Sequence, residues 1–420
     1  MEPNIISVLP FIFLLLSIAV FPFIAPKFWH NNYHYVSLGL AFVTAVYYLL
    51  ITKGWDLMHS AEEYIMFISI LTALYVVSGG IFIDIKGLGT PLRNTVILAF
   101  GGVLANIIGT TGASMLLIRP FIKSNKLRIT NFHIVFFIFI VSNVGGALTP
   151  IGDPPLFLGF LKGVPFFWIM DKVFFKWLIA LIVLLIVFYI FDLINFKKAP
   201  EEIEEREKKA KEKILIKGSS NFIFLAVIIG SVFITEPIFL REGIMLFAAF
   251  LSYKLTRKEI HKQNHFNFHP IKEVAWLFIG IFITMTPALE LLRVHSTELG
   301  ISSPTQYYWF TGALSGFLDN APTYLTFLTA AMGIYGLDVN NVQNVLSFIG
   351  AHEKHVVAIS ISAVFFGAMT YIGNGPNFMV KSIADNQNVE TPGFFEYMYK
   401  FSLPILIPLY LLIWWLFIMQ

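Results

Sequence analysis

Two carboxylates stand inside long apolar runs of this chain, each close to a proline. Asp153 lies in TPIGDPPLF (Thr149 to Phe157), and Asp319 lies in FLDNAPTY (Phe317 to Tyr324). A charged side chain at the centre of a membrane helix costs about 2.5 kcal/mol or more, so such residues by default mark the path of an ion or a proton. The alternative is that each Asp only caps the helix that follows it. Capping and ion binding can coexist, because one carboxylate oxygen suffices for the cap.

The segment around Asp153 has a counterpart in the second half of the chain. TPIGDPPLF matches TYIGNGPNF (Thr370 to Phe378), with Thr, Ile, Gly, Pro and Phe in register 221 positions apart. Proline lacks an N–H group and glycine relaxes the backbone, so neither segment can continue as a helix. Unpaired backbone groups at membrane depth are tolerated only against a polar cavity or a ligand. The two breaks are therefore predicted to bind a ligand, with helix N-termini favouring anions and unwound carbonyls favouring cations.

Two predicted turns complete the candidate site. IIGTTGAS (Ile107 to Ser114) and FLDNAPTY occupy the same place in each half. The candidate residues for binding an ion or a substrate are the polar residues and glycines of the turns and breaks: Gly109, Thr110, Thr111, Asn143, Thr149, Gly152, Asp153, Asp319, Asn320, Thr323, Thr370, Gly373, Asn374 and Asn377. Asp153 and Asp319 are the candidate Na+ ligands. Asn106 is more simply explained by a hydrogen bond to a neighbouring helix.

The elements that must hold these residues are membrane helices. The 420 residues are 57% hydrophobic and 13% charged, with a mean hydropathy of +0.74, so the chain has more apolar surface than a soluble domain could bury. Its apolar runs are long enough to cross a hydrocarbon core of about 30 Å as helices, and too long for the strands of a barrel. The expected fold class is an all-α membrane protein. Its partners are membrane lipid and a small inorganic cation or small anion, with no nucleic acid and no cofactor besides transported or coupling Na+ and H+.

The distribution of Lys and Arg predicts the topology. Residues 119–128, the charged linker 197–219 and residues 254–262 are rich in basic side chains and are therefore assigned to the cytoplasm. The run 94–118 then begins and ends on one side of the membrane, which predicts a re-entrant hairpin, and 132–170 is predicted to be one broken helix.

The second half repeats this pattern from the opposite face of the membrane. Its hairpin is predicted at 305–334 and its broken helix at 355–385. The chain is thus expected to consist of two inverted-topology repeats, 1–196 and 220–420, with both termini outside. The linker between them is expected to be helical and solvated.

The motifs resemble a known superfamily of transporters. SNVGGALTPIGD (Ser142 to Asp153) resembles the SNAGGAWSPIGD signature of NhaD-type sodium/proton antiporters, and LDNAP (Leu318 to Pro322) resembles their second-half DN element. Over essentially its whole length the chain resembles the ion transporter superfamily, which includes these antiporters and the citrate-transporter-like permeases. The resemblance implies that the cation and proton residues are Asn143, Thr149, Asp153, Asp319 and Asn320. It also implies a homodimer that works as an elevator, and the expected location is the bacterial cytoplasmic (inner) membrane.

The chain departs from the antiporter motifs at two places. It has Gly109-Thr110 where such antiporters usually carry an Asp-Asn pair, and GDPP (Gly152 to Pro155) replaces GDVTT, similar to the melanosomal P protein and the arsenite-permease-like branch.

Two classes of function therefore remain open. The leading hypothesis is secondary active transport that exchanges Na+ (or Li+) for H+, in which Asp153 and Asp319 bind the cation when ionised and a proton otherwise. The alternative is Na+- or H+-coupled transport of an anion such as citrate, a dicarboxylate or arsenite, because helix N-termini and polar turns can bind anions. An enzyme is not expected, since the sequence has no HExxH, GxSxG or GxGD motif.

Overall fold

The computed structural model describes residues 4–51, 55–86, 89–200, 213–234 and 236–419, and most of these residues are helical. Eight of the described helical segments are long and apolar enough to cross a membrane: Ile5–Pro22, Pro26–Leu50, Leu57–Gly79, Pro91–Ser124, Asn131–Leu148, Phe166–Lys197, His269–Leu299 and Phe394–Phe417. The chain is therefore an integral, multi-pass membrane protein. The predicted all-α membrane class is confirmed at this level.

The helices of the described ranges follow one another as a series of long segments interrupted by short ones. They are α1 Leu9–Ile24, α2 Pro26–Ile51, α3 Trp55–Gly79, α4 Pro91–Ser124, α5 Asn131–Ile140, α6 Pro154–Leu161, α7 Phe166–Lys197, α8 Asn221–Ser231, α9 Leu240–Leu255, α10 Lys258–Gln263, α11 His269–His295, α12 Pro304–Ser315, α13 Asn320–Gly333, α14 Val342–Ala351, α15 Glu353–Phe365, α16 Gly375–Asn386, α17 Phe394–Tyr397 and α18 Ile407–Phe417. Short 3-10 helices lie at Ile5–Val8, Val144–Leu148, Ser296–Leu299 and Phe366–Met369, and Met398–Leu406 is a π-helix.

One small sheet departs from the predicted all-helical structure. Strand β1, Phe82–Lys86, pairs antiparallel with strand β2, Lys213–Lys217. The predicted helical linker 197–219 is therefore a strand near its C-terminal end, while 201–212 lie outside the described residues. The physical reason is local: KILIK and its partner FIDIK are rich in isoleucine, a β-branched residue that favours strands.

Helix α4 folds back on itself at Gly109. In a straight helix Gly101 and Leu117 would be about 24 Å apart. Instead, a Cβ placed on Gly101 would lie 3.0 Å from a side-chain carbon of Leu117. At the ends of α4, Asn94 Nδ2 donates to Asn125 Oδ1 at 2.7 Å. The segment is therefore two antiparallel arms joined at Gly109.

A similar fold-back and two broken helices shape the middle of the molecule. Helices α12 and α13 are joined by the turn Gly316–Asp319 and pack side by side. The ring centroids of Tyr307 and Phe327 are 6.3 Å apart. A 3-10 helix and an irregular turn separate α5 from α6, and the same sequence of elements separates α15 from α16. The described residues thus contain four helix interruptions: the turn of α4, the turn between α12 and α13, the break between α5 and α6, and the break between α15 and α16.

The helices form two packed groups. In the first group, α1, α2 and α3 each contact α11, and α1 also contacts α2. Tyr48 of α2 donates to Glu290 of α11 at 2.8 Å. The second group contains the arms of α4, the broken segments and α12, α13 and α16, around buried rings such as Phe136 and Phe137. The groups meet where α3 contacts α4 and where α11 contacts α13.

Candidate ion-binding site

The turn of α4 places Thr110 beside Asp153. Gly109 has a φ of 77° and a ψ of 155°, a conformation that essentially only glycine adopts. The Thr110 N–H donates to the Gly152 carbonyl at 2.8 Å, and Thr110 Oγ1 donates to Asp153 Oδ1 at 2.7 Å. The turn that Gly109 permits therefore delivers one hydroxyl to the carboxylate.

The first break is shaped by Thr149 and Gly152. Thr149 Oγ1 donates to the Asn106 carbonyl at 2.6 Å and accepts the Gly152 N–H at 3.1 Å. A Cβ on Gly152 would lie 2.1 Å from the Gly146 carbonyl oxygen, so only glycine fits. The backbone then extends at Asp153, with φ −145° and ψ 145°, and α6 begins.

The second break has the same contacts. Thr370 Oγ1 donates to the Gly316 carbonyl at 2.7 Å and accepts the Gly373 N–H at 3.1 Å. A Cβ on Gly373 would lie 2.7 Å from the Gly367 carbonyl oxygen. Asn374 is extended, with φ −150° and ψ 138°, before α16. The Thr and Gly that the two sequence segments share therefore make the same contacts in both breaks. The Thr hydroxyl accepts the Gly N–H, and the Gly packs against a carbonyl oxygen.

The Asp153 carboxylate is the point where all four interruptions meet. Its residue is 1% exposed. Asp153 Oδ1 accepts from Thr110 Oγ1 at 2.7 Å and from Asn374 Nδ2 at 3.1 Å, and Oδ2 accepts from Asn320 Nδ2 at 2.6 Å. The carboxylate makes no cap to α6. Its hydrogen bonds go to three neutral side chains from three other segments of the chain.

A second layer of amides joins the two breaks. Asn143 Nδ2 donates to Asn377 Oδ1 at 2.7 Å and to the Ile138 carbonyl at 2.8 Å. Asn377 Nδ2 donates to the Gly367 carbonyl at 2.8 Å, and Asn374 Nδ2 also lies 3.2 Å from Asn143 Oδ1. These amides hold the broken ends of both halves together behind Asp153.

Asp319 has a different position from Asp153. It is half-buried and caps α13, because its Oδ1 accepts the Ala321 N–H at 3.0 Å. Thr323 Oγ1 donates back to the Asp319 carbonyl at 2.8 Å, so it serves the helix start. Asp319 therefore lies beside the cluster, while its neighbour Asn320 makes the direct contact.

The predicted residues thus divide by role. Thr110, Asn320 and Asn374 contact the Asp153 carboxylate directly, and none of the hydrogen bonds to that carboxylate comes from Thr111. Sequence reasoning did not single out Gly146 and Gly367. The sequence contained a signal for them, because Gly146 lies three residues before Thr149 and Gly367 lies three residues before Thr370.

The cluster can act on a cation or a proton. Each amide group offers an oxygen as well as a nitrogen, and a hydroxyl offers lone pairs as well as a proton. Rotation of the Asn320 and Asn374 amides would turn their Oδ1 atoms toward the Asp153 carboxylate. Together with Thr110 Oγ1, these oxygens can surround a hard cation. The same carboxylate can take a proton instead.

Asp192 lies away from this cluster and is also fully buried. The sequence places it near a span end, where an interfacial position is expected. In the structure it is ion-paired with Arg128, and it accepts from Asn94 Nδ2 at 2.7 Å and lies 3.1 Å from His133 Nε2. Asn94 and Asn125 close the base of the α4 hairpin, so Asp192 fixes that base to α7.

The chain matches a known protein family over nearly its whole length. Residues 2–418 match a family described as "Putative citrate transport". No curated protein matches the chain.

Proposed function

The chain belongs to this citrate-transport family, and from that premise we propose that it is a secondary active transporter whose coupling cation binds at Asp153. In its specific form the proposal is exchange of Na+ (or Li+) for H+. The observation that carries it is the buried Asp153 carboxylate, which meets neutral donors from three other segments. A buried carboxylate attracts a cation or a proton, because burial penalises its charge.

Na+ and H+ would compete for the same group. Na+ would be held by oxygens of Asp153, Thr110, Asn320 and Asn374 after rotation of the two amides. Protonation of the carboxylate removes the one charge that these four side chains carry, so it weakens Na+ binding. Release of one ion when the other binds is the basis of an exchange.

The four helix interruptions lie in one group of helices, and this bears on how the protein would move. We propose that the halves 1–196 and 220–420 are inverted repeats, and that the group carrying the breaks moves against α1, α2, α3 and α11 as an elevator. Loading of the site from alternate sides is what converts binding into transport. The protein would be a homodimer in a bacterial inner membrane with both termini outside.

A second candidate is Na+- or H+-coupled uptake of citrate or another small anion. The family match favours it. Three helices also start directly after residues of the site: α6 after Asp153, α13 after Asp319 and α16 after Asn374. Helix N-termini favour anions. In this form Asp153 still binds the coupling cation, which would offset the charge of the anion.

Proteoliposomes test both forms. A pH-sensitive dye inside the vesicles reports H+ movement after a Na+ or Li+ jump, and radiolabelled citrate reports uptake under a Na+ or pH gradient. Exchange predicts a Na+-driven pH change and no citrate uptake; the second candidate predicts gradient-driven citrate uptake. In either case Asp153→Asn should abolish transport. Asp319→Asn should only weaken it, because an amide oxygen can still cap α13.

The matched control is Asp171→Asn, which removes an acid whose side chain is 75% exposed. It should transport like the wild type. Wild-type activity of Asp153→Asn in both assays, with normal incorporation into the vesicles, would refute a cation site at Asp153.

A further inference from the structure

A series of polar contacts joins the two groups of helices at one end of the molecule. Lys162 follows α6 directly and pairs with Glu63 of α3. Its ammonium also donates to Asn340 Oδ1 in the segment after α13. The Asn340 N–H donates to Asp338 Oδ1 at 2.9 Å, and Asp338 pairs with Arg293 of α11 at 3.3 Å. These five residues, called the Lys162 network below, connect α3 and α11 of the first group through two segments of the second.

The pair of Lys162 and Glu63 is the buried part of the network. The Lys162 side chain is 5% exposed and the Glu63 side chain is 21% exposed. Separation of a buried ion pair is costly, because each charge loses its partner while it is still shielded from water. Arg293 and Asp338 are more exposed, so their pair contributes little by itself. The network therefore depends mainly on Lys162 and Glu63.

Both segments of the second group in this network lead to the candidate site. Helix α6 begins directly after Asp153, so Lys162 lies about 14 Å further along the helix axis. Helix α13 begins with Asn320, which contacts the Asp153 carboxylate. That helix ends at Gly333, shortly before Asp338. The helices that start at the site are thus joined to the first group at their far ends.

The helix after the matching break uses its lysine differently. Helix α16 begins directly after Asn374 and carries Lys381 about two turns further on. Lys381 donates to Asp385 of the same helix at 2.8 Å and to Thr391 at 2.6 Å. The Lys162 network therefore joins the two groups at the far end of α6, which the predicted topology places at the outer face of the membrane.

An ion pair between the groups differs from the contact where α3 meets α4. That contact is apolar, because a Cβ placed on Gly109 would lie 3.9 Å from Leu74 Cδ1. Apolar contacts are non-directional and can be exchanged for others as helices slide. A buried ion pair must break before its partners can move apart. It can therefore hold one relative position of the two groups in preference to others.

We propose that the Lys162 network is a latch that holds the second group against α3 and α11 at one end of its movement. Lys162 separates from Glu63 when the site turns toward the other face of the membrane, and the network forms again on return. This latch rests on the elevator movement of the proposed function.

Distances between two spin labels test the latch without any substrate. The chain has no cysteine, so His59→Cys on α3 and Ser347→Cys on α14 place labels only at those exposed positions. Phe348 of α14 packs against His355 of α15, so the second label reports on the second group. In phosphatidylcholine nanodiscs the labelled parent should show one main distance. Glu63→Gln should raise the ratio of a second distance to the first at least about tenfold.

Glu353→Gln is the matched control. Glu353 of α15 pairs with Lys172 of α7 at 3.0 Å, so this substitution also removes the acid of a lysine–carboxylate pair. Both helices contact the second group, and the ratio of distances should equal that of the parent. Lys162→Gln should act like Glu63→Gln and takes its place if Glu63→Gln does not fold. The double variant should shift the ratio no further than Glu63→Gln alone, because both substitutions break one pair.

The remaining outcomes separate the latch from the proposed function. Equal distance ratios in the parent and Glu63→Gln would overturn the latch, even if vesicles carry Na+ or citrate. A shift in Glu353→Gln as large as that in Glu63→Gln would also overturn it, since any lost ion pair would then loosen this end of the molecule. A shift confined to Glu63→Gln and Lys162→Gln, in a protein that carries neither Na+ nor citrate, would support the latch and refute the proposed cargo.

Discussion

Substitution of Gly152 by alanine should disrupt the site without removing a single functional group. The new Cβ would lie 2.1 Å from the Gly146 carbonyl oxygen and 2.8 Å from its carbonyl carbon. Ordinary carbon–oxygen contacts are about 1 Å longer, and the obstacle is backbone, which cannot rotate away. Overpacking of this kind costs about 1–3 kcal/mol, and we expect the upper end. For a chain of 420 residues a loss of about 3 kcal/mol corresponds to a fall of roughly 3 °C in unfolding temperature.

Function should suffer more than stability. The Gly152 carbonyl accepts the Thr110 N–H at 2.8 Å, so a shift of about 1 Å would separate Thr110 from the Asp153 carboxylate. The assay is the unfolding temperature together with vesicle transport. Gly375→Ala is the matched control, because a Cβ there meets no atom within 4 Å. Wild-type stability and transport in Gly152→Ala would refute the view that this close backbone contact positions Asp153.

Three further substitutions test the neighbouring contacts. Thr110→Val removes the hydroxyl that donates to Asp153 at 2.7 Å and should raise the half-saturating Na+ concentration at least about tenfold in the vesicle assay, whereas Thr111→Val should leave it unchanged. Gly109→Ala forces a side chain into a φ of 77° and should lower stability by about 1–3 kcal/mol, measured by thermal unfolding. Asp192→Asn leaves the buried Arg128 without its counter-charge and should destabilise the protein by about 3–5 kcal/mol; a normal unfolding temperature would contradict that account.

The breaks could be predicted because their structural causes are local in the sequence. Thr149 binds the Gly152 N–H within the same turn, and Thr370 binds the Gly373 N–H in the same way. Because the residues in contact are only three positions apart, they form a short motif in the sequence. That motif can be compared between the two halves of the chain. The match therefore located Asp153 and Asn374 without knowledge of the packing.

Contacts between distant segments could not be predicted in this way. Asn320 reaches Asp153 across 167 residues, and only the packing of the two halves brings them together. Arg119 looked like part of a basic loop because composition does not show that α4 continues past it. Asp192 likewise carries no sequence sign of the ion pair that buries it.

The unequal pair Asp153 and Asn374 has a consequence for the valence of the cation that the cluster can hold. The two residues occupy corresponding positions, and Asn374 Nδ2 is 3.1 Å from Asp153 Oδ1. Perfectly identical halves would put two carboxylates at this distance, and their repulsion would force them to share a proton or to recruit a divalent ion. One amide in place of the second acid leaves a formal charge of minus one at the meeting point. A single Na+ or a single proton brings that charge to zero, so either ion leaves the cluster electrically neutral.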